Sequence, residues 1–135
     1  MNMFLRQPQP LACLLVVCLL LPACNREKKV TVTGTITRGG QPLKLSPTGV
    51  LLVTLVPDAP PNDTYTSQIA ECDQAGAFTI QQVTPGKYKI GIEQFDPNPQ
   101  LDKLNAAFRA DTGKIIREID GKGPLAIDLA KPAGG

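Results

Sequence analysis

Residues 30–37 read VTVTGTIT. Val30, Val32 and Ile36 share one parity, and Thr31, Thr33, Thr35 and Thr37 the other. An extended chain therefore turns aliphatic groups to one side and hydroxyls to the opposite side. Gly34 takes a place on the apolar side. This is the pattern of a half-buried strand with a β-branched outer surface, and it sets the period with which the neighbouring segments are read.

Outward from this stretch the same period returns between turn signals. Residues 38–49, RGGQPLKLSPTG, form a loop by their Gly and Pro content. Val50 to Val56, VLLVTLV, is apolar at both parities except for Thr54, as expected of a strand that is central in its sheet or covered on its second side. Residues 57–63, PDAPPND, form a loop, because consecutive prolines donate nothing to a ladder. Thr66 to Cys72 is a weaker strand. Asp73-Gln74-Ala75-Gly76 is a tight turn with Gly last, and Ala77 to Val83 returns with Phe78 and Ile80 on one side. Thr84-Pro85-Gly86 turns the chain into 87–95, where Tyr88, Ile90 and Ile92 point inward and the lysines outward. Lys114 to Asp120 and Leu125 to Leu129 complete seven short strands, with Gly121 to Pro124 as the turn between them. Strands this short, separated by turns, predict an all-β sandwich.

One segment has a different period. Asn98 is a candidate N-cap, Pro99 a candidate first helical residue, and Leu101, Leu104 and Phe108 follow at helical spacing. A short helix is expected over 99–109, packed on the sandwich by that stripe. The final residues, 131–135, are expected to be a disordered tail.

Composition narrows the function. The chain has 14 Lys and Arg against 12 Asp and Glu, without the basic clustering that nucleic-acid binding needs. It has no histidine, and so lacks the commonest neutral-pH acid/base and metal ligand. Thirteen prolines and 12 glycines in 135 residues argue for many turns and against a helical bundle.

Upstream of the first strand, Leu11 to Ala23 is apolar without interruption, about 20 Å as a helix and shorter than a membrane span. It follows Arg6, as a secretory signal core follows a positive start. Leu21-Pro22-Ala23-Cys24 ends the run and resembles the bacterial lipobox, with Pro22 where that pattern usually has a small residue. The resemblance implies cleavage before Cys24, a diacylglycerol on its thiol and an acyl chain on its new amino group; two or more chains anchor stably where one does not. It places the mature chain in the bacterial cell envelope, held to membrane lipid through Cys24, on either the inner or the outer membrane. The alternatives are an ordinary signal peptide cut nearby, with Cys24 incidental, and an uncleaved anchor. The resulting organisation is a signal segment at 1–23, lipidated cysteine and tether at 24–29, a sandwich at 30–130 and the tail. Arg26, Lys28 and Lys29 would face lipid headgroups or simply be solvated. Cys13 and Cys18 leave with the signal. Cys72 remains as the one mature thiol, expected to be a small buried hydrophobe.

Four fragments, VTVTGTITRGGQPL, VTLVP, ECDQAGAFTI and VTPGKYKIGIE, together resemble the carboxypeptidase regulatory-like domain over residues 30–93. That resemblance implies a seven-stranded Greek-key sandwich of the transthyretin (prealbumin-like) type, here with one short helix. Independently of it, Gly76 and Gly86 permit turn conformations, and Phe78 and Tyr88 are expected to pack as an aromatic pair from adjacent strands.

Two enzyme types share related sandwiches. Hydroxyisourate hydrolases use histidines and a Tyr-Arg-Gly-Ser motif, and intradiol dioxygenases bind iron through histidines and tyrosines. Tyr65 and Tyr88 have no imidazole partners here, and neither the motif nor a histidine is present. Asp96 with Asp102, and Glu118 with Asp120, are the candidate carboxylate pairs for glycosidase-type chemistry. Asp58, Asp63 and Asp73 would hold calcium if their loops converged. Asn62-Asp63-Thr64 has the form of a glycosylation sequon. No Gly-rich loop opens a helix, so no nucleotide site is indicated.

The expectation is a non-catalytic, membrane-anchored module with no cofactor and no metal. It would present a sheet edge or the loops 38–49 and 57–65 to an envelope protein or a glycan. The alternative is a structural envelope lipoprotein acting as a spacer without a specific ligand.

Overall fold

A computed structural model describes residues 27–60, 65–97 and 101–133. The described chain is an all-β, sandwich-like fold of two sheets. Its strands are β1 (Val30–Arg38), β2 (Gln41–Pro42), β3 (Val50–Pro57), β4 (Gln68–Glu71), β5 (Ala77–Val83), β6 (Gly86–Phe95), β7 (Ile116–Ile119) and β8 (Leu125–Asp128). The seven expected strands are present; the two-residue β2, which closes a tight hairpin on β1, is additional. In one sheet β1 pairs antiparallel with β5 and β2, and parallel with β8. The other sheet runs β4-β3-β6-β7, antiparallel throughout.

The alternation in VTVTGTIT is what the structure uses. Val32, Gly34 and Ile36 are buried, while Thr31, Thr33 and Thr35 are exposed. VLLVTLV lies centrally, between β4 and β6. Its inward residues Leu51, Val53 and Leu55 are fully buried, and its outward residues are half-buried. Ile90 and Ile92 of β6 meet them from the neighbouring strand, and Ile36 and Ile127 supply the layer from the other sheet. Full burial of each such side chain contributes about 1.5–3 kcal/mol.

Gly34 is required by close approach. It stands opposite Phe78 across the β1–β5 ladder, and a Cβ there would lie 2.5 Å from both the Phe78 ring and the Leu125 carbonyl oxygen. The Phe78 ring therefore fills the place of the absent side chain. This corrects the expected Phe78–Tyr88 pairing from adjacent strands: β5 and β6 are consecutive in sequence but belong to different sheets. Tyr88 instead donates its hydroxyl to the Thr84 carbonyl at 2.7 Å. The 73–76 turn closes as expected, with Gly76 N–H donating to Asp73 O at 2.9 Å. Gly76 has φ +80°, and any Cβ there would meet the Ile36 carbonyl oxygen at 2.3 Å.

The helix expected over 99–109 does not form in the described part, 101–109, which is a succession of turns; Asn98 and Pro99 lie outside the described residues. Asn105 and Ala106 have φ of 51° and 59°, opposite in sign to a right-handed helix. The cause is Asp102. Its carboxylate accepts the backbone N–H groups of Leu104 (3.0 Å) and Ala106 (2.8 Å), offering the chain local bonds that compete with a helix. Leu104 still packs into the core, Phe108 is half-buried, and Leu101 is exposed. The single helical element among the described residues is a 3₁₀ turn, Ala110–Thr112. At the chain's other end, Lys131 N–H donates to Asp128 O and Arg117 Nη2 donates to Pro132 O, so the segment expected as tail begins bonded to the sandwich.

Filling the Gly34 gap tests the packing. Gly34→Ala should destabilise the fold by about 1–3 kcal/mol through overpacking, and Phe78→Leu on that background should recover part of the loss. Urea unfolding of the single and double variants measures both; additive losses would contradict the contact.

Candidate functional site

The carboxylates that sequence reasoning nominated for chemistry are mostly engaged with the backbone. Asp96 is buried in the link after β6. It accepts Ser46 N–H at 2.9 Å and the Ser46 hydroxyl, and pairs with Lys103 Nζ at 3.3 Å. Asp102, the other member of that candidate carboxylate pair, accepts Gln94 N–H as well as the two amides of its own turn. Asp73 accepts Ala75 and Ala77 N–H, both at 2.9 Å. Asp120, beyond the end of β7, accepts Lys122 N–H at 2.8 Å, and Glu118 is exposed on the strand. Asp58 faces Lys87 and Lys89 at 3.8 and 3.5 Å. Asp63 lies outside the described residues, and among those described no three acidic, histidine or cysteine side chains converge as a metal site.

Asp128, which sequence reading passed over, has the same role. It accepts Gly39 N–H (2.7 Å), Gly40 N–H (3.1 Å) and Ala130 N–H (2.9 Å), tying the β1–β2 turn to the end of β8. Its only advance signal was an acid two residues before a chain reversal.

At Asp96 and Asp128 these bonds favour the ionised form. The Ser46 hydroxyl and amide, then the Lys103 ammonium, hold the Asp96 carboxyl below its ordinary value, and the Ala130 and Gly39 amides do the same for Asp128. A carboxyl lowered in the folded state stabilises it above the unfolded value, roughly pH 3.9, and that contribution disappears as pH falls through the lowered folded value. Burial, then the charges of Asp73 and Glu71, push the Cys72 thiol up to about 12, so at neutral pH it is a protonated hydrophobe and no nucleophile.

Leu21, Pro22, Ala23, Cys24 and Arg26 lie outside the described residues. From Glu27 the chain leads straight into β1, and Lys29 Nζ donates to Thr84 Oγ1 at 2.7 Å, fastening the residues before β1 to the β5–β6 turn. Strand directions then separate the two loops expected to form a contact surface. The segment from 57 starts at the end of the fold where β1 begins, and 38–49 lies at the opposite end. They do not make one surface.

What the structure brings together instead is a groove on the outer face of the β3–β6 sheet. Its floor is Thr54 and Val56 of β3 with Lys89, Gly91 and Glu93 of β6, and its wall is Arg109 to Asp111 at the 3₁₀ turn. The volume is about 350 Å³, at the lower end of the range for small-ligand sites. The wall can approach because Gly91 has no side chain: a Cβ there would meet Ala110 N at 2.9 Å. Compared with known proteins, the chain matches no family model, no curated protein and no solved structure. The groove's chemistry therefore carries the argument. Its lining offers ammonium, guanidinium, carboxylate and hydroxyl groups around aliphatic surface. Such a surface is equipped to bind. Sequence reasoning missed it, although two signals were there: the apolar outward residues of VLLVTLV, and a glycine in the middle of β6.

The carboxylate account is tested by acid unfolding. Asp96→Asn should be less stable than the parent at pH 7, and the gap should narrow as pH falls below 4. A gap independent of pH would show that the charge of Asp96 does not matter.

Proposed function

We propose that this chain is a non-catalytic envelope lipoprotein. It is anchored through Cys24 and displays a transthyretin-like sandwich whose outer β3–β6 face binds a partner. The observation that carries the binding part is the groove, an open, partly aliphatic floor walled by a charged turn. Support for the anchor comes from the lipobox-like LPAC followed by a short charged segment. Cys24 is six residues before the first strand residue, Val30, which keeps the domain within about 20 Å of the bilayer. The carboxypeptidase regulatory-like reading is supported by where its four fragments fall, on β1, β3, the turn from β4 into β5, and β6 in that order.

In this reading the end of the fold where β1 begins faces the membrane and the 38–49 loop points away. The groove then lies on a side wall, reachable by a partner approaching along the surface. Deep burial of the anchor by the domain is not required, because two acyl chains alone give stable attachment.

Metabolic palmitate labelling and fractionation test the anchor. The parent chain should take up label and sediment with membranes, and Cys24→Ser should lose the label and accumulate as a soluble or precursor form. Unlabelled parent chain, or label retained by Cys24→Ser, would refute it.

A further inference from the structure

The strand register arranges the outer face of the β3–β6 sheet in rows, and the rows differ in chemistry. In the first, Leu52 of β3 is flanked by Glu71 of β4 and Glu93 of β6. In the second, Thr54 is flanked by Ile69 and Gly91. In the third, Lys89 lies between Val56 and Ile116. Ile69 is 66% exposed and Ile116 38%, large values for side chains of this size. The cations of this face have partners: Lys87 and Lys89 meet Asp58, and Arg109 meets Asp111. Glu71 and Glu93 have no cation within salt-bridge distance among the described residues. The face therefore presents unbalanced negative charge at one end and aliphatic surface beside it.

From this we infer that this face, the groove floor together with the β4 strip beside it, takes an extended peptide segment carrying a Lys or Arg, with aliphatic side chains at the second and fourth positions after it. The inference deepens the binding reading above and rests on it. The cation would lie over Leu52 between the two carboxylates, which stand two strand spacings apart, about 9–10 Å. The aliphatic side chains would cover Ile69 and then Val56. Successive rows are two residues apart, about 6.8 Å, which is also the repeat of same-side residues in an extended peptide. That match of period favours a peptide over a compact amine. Charge complementarity would set the direction in which the peptide lies.

The test uses the full chain purified in detergent and fluorescent peptides Lys-Ser-Val-Ser-Val and Glu-Ser-Val-Ser-Val, blocked at both ends, read by anisotropy. The Lys peptide should bind saturably and the Glu peptide about tenfold or more weakly. Glu71→Lys/Glu93→Lys should reverse the preference. Amide shifts in the parent chain should map the Lys peptide to β3, β4 and β6, a readout that does not depend on how the variant folds. Equal affinity for the two peptides, no saturable binding, or shifts confined to other surfaces would overturn the inference. If a neutral glycan probe, chitotetraose, perturbs these strands and the Lys peptide does not, the groove binds but the peptide assignment is wrong; the anchor is judged separately by the acylation of Cys24.

Discussion

The first sheet depends on the bare backbone at Gly34. β1 is the one strand that β2, β5 and β8 all pair with, and at Gly34 it has Phe78 on one side and the Leu125 carbonyl on the other, each too close for a side chain. Because a strand alternates with period two, this contact fixes which residues of β1 face inward. A slip of one residue would put Thr33 or Thr35 against the core and Ile36 in water. Gly76, seated on the Ile36 carbonyl, repeats the constraint one turn further along. With β1 held in this register, Val32 and Ile36 meet the inward side chains of β3 and β6, and the two sheets share one aliphatic layer.

The loops are held by a second device. Asp73, Asp96, Asp102, Asp120 and Asp128 each accept backbone N–H groups at a chain reversal. An ionised carboxylate makes stronger hydrogen bonds than a neutral acceptor, and a chain with 13 prolines and 12 glycines has many reversals to fasten. The same residues thereby fasten the reversals at which they stand. This is why acids that look like candidate pairs in the sequence fall to separate turns in the fold.

The strands were legible because burial on one face writes itself into the chain as period two, and VTVTGTIT, VLLVTLV and KYKIGIE carry it plainly. The turn at 73–76 was legible because Asp and Gly have specific turn roles. The failed helix shows the limit. Leu101, Leu104 and Phe108 have helical spacing, but a single carboxylate at 102 captured the amides that a helix would have used, and the competition between side chain and backbone is invisible to a periodicity argument. The Phe78–Tyr88 pairing failed for another reason: sequence neighbours joined by a two-residue link usually pair, and here the link crosses between sheets. The outward apolar residues of VLLVTLV and Gly91 hint at the groove's floor, but its wall needed three-dimensional information, since the groove joins β3 and β6 to a turn at 109–111. The described residues also place the two expected contact loops at opposite ends, which only strand direction could reveal.

If both sheets belong to one core, they should open together. Native-state amide exchange of the full chain, followed residue by residue, tests this most directly. Ile36 N–H in the first sheet is bonded to Gly76 O, and Ile92 N–H in the second to Phe108 O, both at 2.8 Å. The account predicts that these two amides exchange with the same opening free energy, equal to that of global unfolding. Exchange of Ile36 through a separate, lower-energy opening while Ile92 stays protected would contradict it.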